Sequence, residues 1–367
     1  MEENETVRWP FYARLSMVLT SVVLLLFLLH EGKSIIIPLF FSMLIAFMLL
    51  PVTKWLERRR LSRTLAAMLS ILLFVVFIAG VVFFLGQQIA DFSKELPLLG
   101  ARIQGWTKDI QQWVSMKYKL DYTHQIEYIN KAGAGMANYA SIIAQAFFLA
   151  LTGFVIWTIF VFIFTFFMLT HRALLKRFIT SLFSTRYQSR VTEVMSETRL
   201  LANSYISGLM IEMVIVAVLN CIMFLIFGIK YAFLLGILAA VLNIIPYLGI
   251  YTAAAIAGII TLSNGSPSHA LTAVLILLGV HFIDANILLP RIVGARVKMN
   301  PLITIVAVLM GSMLWGIPGM FLFIPLAAML KIIFERVEGL KPWAILMGTD
   351  ETEKKPVKEI PPTKPAA

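Results

Sequence analysis

Long apolar runs, separated by short polar or basic segments, dominate the pattern of this chain. In the first half they cover residues 15–29, 35–50, 65–85 and 147–169. A membrane-spanning helix needs about 20 mostly apolar residues, and these runs lack the alternation at period two of a spanning β-strand. We therefore predict an all-α fold: a polytopic helical membrane protein whose first two runs form a hairpin that turns at residues 30–34.

The second half contains two apolar runs that are too long to be one straight span each. Residues 231–262 and 301–334 would each form a helix about 50 Å long, against a hydrocarbon core of about 30 Å. Both runs are interrupted near the middle by residues typical of helix breaks: Asn243, Pro246 and Gly249 in the string NIIPYLG, and Gly316, Pro318 and Gly319 in the string WGIPGM. We predict that both runs fold as broken or re-entrant hairpins of two half-helices, beside ordinary spans at 202–227 and 270–289.

Clusters of Lys and Arg indicate the orientation, because such residues concentrate in cytoplasmic loops. They occur at residues 54–63, 171–190 and 291–298, and we predict that all three segments are cytoplasmic. The first broken run would then enter and leave from outside and the second from the cytoplasm. Two broken full spans would also leave the C-terminus inside, so both arrangements stay open here. Either way, the protein is predicted to lie in the cytoplasmic (inner) membrane with both termini in the cytoplasm.

Residues 87–146 form a predicted helical insert outside the membrane. Apolar residues recur there at steps of three and four: Ile89, Phe92, Leu96, Leu99, Ile103, Trp106, Ile110 and Trp113. This heptad-like pattern predicts a helix seam that packs against a neighbouring helix, for instance that of another subunit in a homo-oligomer. The alternative is an amphipathic helix that lies on the membrane surface.

Composition supports the membrane assignment. The chain is 59% hydrophobic and 14% charged, whereas soluble domains are about 45–50% apolar and about 25% charged, so the lipid bilayer is the expected solvent. The net charge of +11 lies in clusters beside apolar runs, which favours the positive-inside rule over a nucleic-acid partner. The predicted organisation is an N-terminal unit, an external insert, a fourth span with its basic loop, a transport core and a disordered cytoplasmic tail: residues 1–86, 87–146, 147–199, 200–338 and 339–367.

Candidate chemistry is confined to the second half. The sequence has no HExxH, GxSxG, Walker or CxxC motif, so we predict no enzyme, no cofactor and no metal site. Two carboxylates, Glu212 and Asp284, lie within predicted spans, where a charge costs about 2.5–3.5 kcal/mol at a helix centre. His281 shares a helix face with Asp284, and such a pair can exchange protons or bind a cation. One alternative is that Asp284 is a structural acceptor at a half-helix end, and another is that it lies near the membrane interface, since Arg291 follows seven residues later.

The helix breaks add polar groups to this region. Breaks within a membrane free backbone N–H and C=O groups, whose partial charges suit polar solutes and ions. The alternative is that Pro246 and Pro318 only kink helices for packing. We predict a substrate or ion path formed by residues of the breaks and of the charged spans: Glu212, Asn243, Pro246, Tyr247, Gly249, His281, Asp284, Asn286, Pro290, Gly316, Pro318 and Gly319.

The strings in the second half resemble a known family. NIIPYLG at 243–249, Asp284 with Asn286, LLPRIVGARVKMNPL at 288–302 and GSMLWGIPGMFLFIPLAAMLKIIFE at 311–335 resemble blocks of the autoinducer-2 exporter family, the PerM-like transporters. The first half resembles the family in layout. Two departures are Ile250, where the family usually has Pro, and Asp284, where it commonly has Glu.

The resemblance implies a transporter that exports a small polar solute, with autoinducer-2 as the named example, and it implies homo-oligomers. Some members are similar to sodium(lithium)/proton antiporters, which makes a monovalent cation and a proton the alternative cargo. A third hypothesis, from another class, is a membrane scaffold or assembly factor that binds partners through the external helices and the tail. All three remain open at the level of sequence.

Overall fold

The predicted all-α membrane fold is confirmed. The computed structural model describes residues 10–93, 116, 153, 155–246, 248–264, 266–294 and 299–349, and these residues contain helices and no strand. The helices in chain order are α1 (Phe11–Glu31), α2 (Lys33–Arg58), α3 (Arg63–Ser93), α4 (Val155–Thr170), α5 (Arg172–Ser181), α6 (Thr185–Ile226), α7 (Ala232–Leu242), α8 (Leu248–Asn264), α9 (Pro267–Ile283), α10 (Pro301–Trp315), α11 (Ile317–Arg336) and α12 (Lys341–Met347).

Within the described residues, six helices are long and apolar enough to cross a membrane. They are α1, α2, α3, α6, α11 and α9 together with the turns that follow it. Helix α4 is joined to α5 by a bend of 75° after Thr170. The protein is therefore a multi-pass membrane protein, and each run predicted as a span contains a helix.

The N-terminal helices meet at Gly32, within the predicted turn. Helix α1 has no buried residue, and its last turn contacts the hairpin of α10 and α11: Trp315 Nε1 donates a hydrogen bond to Leu29 O at 2.8 Å. Hydroxyl groups connect the next helices. Ser42 Oγ of α2 donates to Val161 O of α4 at 2.9 Å, and Thr53 Oγ1 of α2 donates to Ser70 Oγ of α3 at 3.0 Å. Small polar residues of this kind allow membrane helices to approach each other closely.

Helix α6 has 42 residues and is about 63 Å long at 1.5 Å per residue, about twice the thickness of a hydrocarbon core. Its first part carries several charged side chains, and its second part is apolar except for a few polar residues such as Glu212. The charged part is connected to the end of α11, because Arg336 forms ion pairs with Glu193 and Glu197. The predicted span at 202–227 is therefore the apolar part of a longer helix.

Both predicted helix breaks are present. Residues 243–247 separate α7 from α8, and Gly316 separates α10 from α11 with a φ of +64° and a ψ of −141°, a conformation open essentially to glycine alone. Whether the two hairpins are re-entrant stays a prediction, and so does the side from which each enters the membrane.

Two buried clusters hold the second half together. The first core joins α6, α7, α8 and α9 through residues such as Phe224, Leu235 and Leu277. The second core joins α2, the middle of α6, α10 and α11 through residues such as Tyr205 and Leu322. Helix α6 belongs to both cores, which places its buried face between the two broken hairpins.

The prediction that the tail is disordered is wrong for its first residues, 339–347. Glu338–Leu340 forms a turn of 3₁₀-helix and Lys341–Met347 forms α12, in which Ala344 and Met347 are buried. Met347 O also accepts a hydrogen bond from Asn300 N at 3.0 Å, just before α10. The apolar string WAILM at 343–347 is stabilised by these tertiary contacts, which its short length does not reveal.

The predicted external insert falls mostly outside the described residues. The seam positions Leu96, Leu99, Ile103, Trp106, Ile110 and Trp113 all lie there. Ile89 and Phe92 belong to the last turns of α3, but their side chains are not described. The helical seam and the homo-oligomer therefore stay predictions.

Candidate functional site

The candidate site begins on the buried face of α6. Tyr205, Glu212 and Asn220 are separated by seven and eight residues, a spacing that places them on one face of the helix, and all three side chains are buried. Only 5% of the surface of Glu212 is exposed. Its neighbour Met210 packs in the second core and Met213 packs in the first, so Glu212 lies at the border of the two cores.

Asp284 lies opposite Glu212, immediately after α9. It begins the first of two turns of π-helix, Asp284–Leu288 and Pro290–Gly294, and only 2% of its surface is exposed. Asn243 Nδ2 donates a hydrogen bond to Asp284 Oδ2 at 2.7 Å. The carboxyl groups of Glu212 and Asp284 are close enough to interact electrostatically. Three segments therefore meet here: α6, the break between α7 and α8, and the end of α9.

The proximity of the two carboxyl groups has a chemical consequence. Two neighbouring carboxylates repel each other strongly when both are charged, unless a proton or a cation lies between them. Glu212 Oε2 and Asp284 Oδ1 are buried and have no hydrogen-bond partner among the described residues. Oxygen atoms of this type are ligands for protons and for hard cations. The geometry therefore suits the binding of one proton or one small cation.

His281 provides a third titratable group. It lies one helical turn before Asp284, is half-buried, and interacts electrostatically with the Asp284 carboxylate. Its Nδ1 atom is buried and lacks a hydrogen-bond partner within the described part of the chain. An imidazole next to a buried carboxyl group can pass a proton to it or receive one from it.

Asn286 and Pro290 do not join this group. Asn286 is exposed, and its Nδ2 atom donates to Phe282 O of its own helix at 2.8 Å. Pro290 is also exposed and opens the second turn of π-helix. Proline lacks a backbone N–H and its ring collides with the carbonyl four residues earlier, so it favours a widened turn at this point. Pro290 therefore influences the site by changing the course of the backbone after Asp284.

The break between α7 and α8 is folded tightly. A Cβ atom on Gly249 would lie 2.0 Å from Leu242 O and 3.0 Å from Asn243 N, so only glycine fits at this position. Pro246 is half-buried in the same break, and Tyr247 lies outside the described residues. The close approach of Gly249 to the end of α7 fixes the backbone from which the Asn243 side chain reaches Asp284.

This geometry makes Gly249→Ala a test of the break. The added methyl group must push α8 away from the end of α7, and we expect the displaced Asn243 amide to lose its hydrogen bond to Asp284. Overpacking of this kind costs about 1–3 kcal/mol in stability, and we expect transport to fall with it. The measurement is initial transport rate and unfolding midpoint of the purified variant. Gly258→Ala in the same helix is the control, because its Cβ would meet only Val274 Cγ2 at 3.3 Å. Equal effects of the two substitutions would contradict this account of the break.

Gly316, Pro318 and Gly319 lie in a different part of the protein. They form the tip of the hairpin of α10 and α11, where Gly319 contacts the backbone of Gly311, and this hairpin packs in the second core. Within the described residues, no hydrogen bond or ion pair joins the tip of this hairpin to the carboxyl pair.

The structure adds three candidates that the sequence does not predict. They are the buried polar residues Tyr205 and Asn220 of α6 and Thr261 of α8. Tyr205 interacts electrostatically with Glu212. Asn220 Oδ1 and Thr261 Oγ1 have no hydrogen-bond partner within the residues that the structure describes. The spacing of Tyr205, Glu212 and Asn220 along one apolar run is the signal that could have identified the first two.

Comparison with known proteins adds an independent observation. The family model described as AI-2E family transporter matches residues 16–339. YrrI of Bacillus subtilis is 29% identical over 313 residues, which cover 82% of this chain and 86% of YrrI. YhhT of Escherichia coli is 24% identical over 338 residues, which cover 90% and 93%. PerM of Escherichia coli is 27% identical over 142 residues, which cover 38% and 40%. YrrI and YhhT are provisionally named as transport proteins and PerM as a permease.

Proposed function

This chain belongs to the AI-2E family of transporters, and on that premise we propose that it is a secondary transporter whose coupling ion binds at Glu212 and Asp284. The proposed cargo is a small polar organic solute, with autoinducer-2 the first to test, and the proposed direction is export from the cytoplasm. Membrane transport as such follows from the family and from the apolar helices. The solute, the direction and the ion belong to the proposal.

The buried carboxyl pair is the observation that carries the proposal. Ionisable groups inside a membrane protein are costly and typically mark ion or proton pathways. Here two such groups, Glu212 and Asp284, lie next to each other. Each has a buried oxygen atom with no hydrogen-bond partner among the described residues. The sequence contains no nucleotide-binding loop, so an ion gradient is the energy source that this chain itself can use.

In this proposal, the hydrogen bond from Asn243 couples ion binding to solute movement. When a proton or cation occupies the pair, the charge on Asp284 is neutralised and its attraction for the Asn243 amide weakens. When the ion leaves, the attraction returns. Because Asn243 lies in the break between α7 and α8, the occupancy of the pair changes the forces on that break. The free backbone groups of the break are the proposed contacts of the solute.

A second candidate function is sodium(lithium)/proton antiport. It is favoured by the same carboxyl pair, since a pair that binds either one proton or one small cation is what an exchange mechanism requires. In this version of the proposal the organic solute is absent, and the pair alternates between the two ions as it faces one side of the membrane and then the other.

One reconstitution experiment separates the two. The full chain is placed in liposomes with an imposed pH gradient, and labelled autoinducer-2 and a pH-sensitive dye are followed in the same vesicles. We expect solute movement that depends on the gradient. Proton movement that appears only when sodium or lithium is added would favour the antiporter. Folded protein that produces neither signal would contradict the use of a proton at the pair and the choice of solute.

The remaining parts of the proposal concern placement in the cell. We propose the cytoplasmic membrane, with both termini in the cytoplasm, because the basic segments after α2, after α4 and after α9 then all lie on one side. We also propose a homo-oligomer. Helix α1 has no buried residue and few residues of α3 are buried, so both helices offer apolar surface to lipid or to further copies of the chain.

A further inference from the structure

Helix α5 differs from the membrane-crossing helices in its composition and its direction. It follows α4 after a bend of 75°, and its sequence RALLKRFITS mixes basic and apolar residues. Leu174, Leu175 and Phe178 are exposed and lie on one face of the helix, and Leu182 continues this face beyond its end. A helix with an exposed apolar face and basic flanks, placed after a sharp bend at the end of an apolar helix, is suited to lie in the membrane interface.

A second face of α5 lines a groove against α6. The groove has a volume of about 490 Å³. Its walls are Ala173, Lys176, Arg177 and Thr180 of α5, at spacings of three, four and seven residues, and Gln188, Ser189 and Thr192 of α6. The walls therefore present two cationic groups and several hydroxyl or amide groups, with no acidic side chain among them.

The two cations of this groove have no acidic partner among the described residues. Within the described residues, Lys176 and Arg177 form no ion pair, whereas Arg172 on the same helix pairs with Glu57 at 2.5 Å. The nearest acidic residue along α6, Glu193, pairs with Arg336. Thr180 Oγ1 donates to backbone carbonyls of its own helix, so its oxygen remains an acceptor only. Lys176, Arg177, Ser189 and Thr192 are left as donors for an anion.

We propose that this groove binds the phosphate headgroup of an anionic phospholipid, whose acyl chains enter the membrane that the exposed apolar face of α5 contacts. Arg and Lys together with hydroxyl donors match the oxygen atoms of a phosphate group. A free phosphate would use the same donors. A lipid headgroup is favoured because the exposed apolar face of α5 places this helix, and with it the groove, beside the lipid headgroups. Basic residues at a membrane interface attract anionic lipids in general. This site is independent of the carboxyl pair and of the transported solute.

Native mass spectrometry of the full chain in detergent tests the assignment. Phosphatidylglycerol and phosphatidylcholine are supplied in equal amounts, and the lipid that remains bound is counted. We expect the native chain to retain phosphatidylglycerol in preference, and the double variant Lys176→Gln, Arg177→Gln to retain at least fivefold less. The matched control is Lys54→Gln, Arg58→Gln, which removes the same charge from exposed positions at the end of α2 and should retain the lipid as the native chain does.

Two further measurements keep the outcomes separate. Because Lys176 and Arg177 are exposed, the unfolding midpoint of the double variant should equal that of the native chain. Phe178→Ser should reduce lipid retention while leaving the basic groups in place. Equal retention of phosphatidylglycerol by the native chain and the double variant would overturn the proposal. Complete displacement of the lipid by millimolar inorganic phosphate would also overturn it, because the groove would then bind a soluble anion. A third contradicting result is that a second copy of the chain covers the apolar face of α5 and no lipid is retained.

Discussion

Replacing Asp284 by Asn is expected to lower the rate of transport at least tenfold while the protein remains folded. Asn has nearly the size of Asp, so the buried space beside Asn243 stays filled. What is lost is the negative charge that, in the proposed mechanism, binds the coupling ion together with Glu212. A tenfold loss corresponds to about 1.4 kcal/mol of lost stabilisation of the rate-limiting state. The measurement is the initial rate in liposomes, beside the unfolding midpoint in detergent.

Companion variants separate a role in ion binding from a general effect of charge. Glu212→Gln should reduce transport about as much as Asp284→Asn, and the double variant should lose little more, because residues that act as one unit do not add. Asp284→Glu should retain part of the activity, since it keeps the charge. Glu31→Gln removes an exposed carboxylate at the end of α1 and is expected to transport normally. Normal transport by Asp284→Asn would remove the carboxyl pair from the mechanism.

Replacing Gly319 by Ala is expected to prevent the hairpin of α10 and α11 from forming in its native shape. A Cβ atom on Gly319 would lie 1.9 Å from Gly311 O and 3.0 Å from Trp315 Cβ. Two helix backbones touch here, so the clash cannot be relieved by rotation of a side chain. Overpacking costs about 1–3 kcal/mol even where side chains can move, and here we expect the upper end or more. The readout is the yield of folded protein and the midpoint of its unfolding.

Gly279→Ala in α9 is the matched control for this prediction. No atom lies within 4 Å of the Cβ position at Gly279, and alanine is favoured over glycine in a helix by about 0.5–1 kcal/mol. Its midpoint should therefore stay equal or rise slightly. Gly311→Ala should behave as Gly319→Ala does, because its Cβ would lie 2.3 Å from Gly319 O. Similar midpoints for Gly319→Ala and Gly279→Ala would show that the two helices can separate without cost.

The helix breaks could be predicted because proline and glycine act locally. Pro246 and Gly316 interrupt runs that are otherwise apolar, and the structure has a break at each place. The sequence could not show which break contains the site. Asn243 and Asp284 are separated by 41 residues, and their hydrogen bond depends on how α7 and α9 pack on α6. For this reason the sequence pattern groups Gly316 with the carboxylates, although its hairpin packs in the second core.

The turns of π-helix after α9 were also beyond prediction. Asp284–Leu288 has an ordinary helical sequence, and only the hydrogen-bonding register distinguishes it from an α-helix. Pro290 is the one local signal of an altered helical register. In the sequence it is interpreted as part of the solute path, not as a sign of π-helix. The error at α12 has a related cause: a string of seven residues, Lys341–Met347, is too short to establish a period and is helical because Ala344 and Met347 find partners elsewhere.

The place of α6 in both cores limits how this protein can move. A single continuous helix of 42 residues cannot follow two different displacements, so any shift of one broken hairpin relative to the other must occur as sliding against α6. Glu212 is fixed to that helix, whereas Asp284 is carried by the end of α9. The distance between the two carboxyl groups therefore changes with any displacement of α9 along α6. If the proposed mechanism holds, a spectroscopic distance measurement between these two helices would follow the transport cycle without any label on the solute.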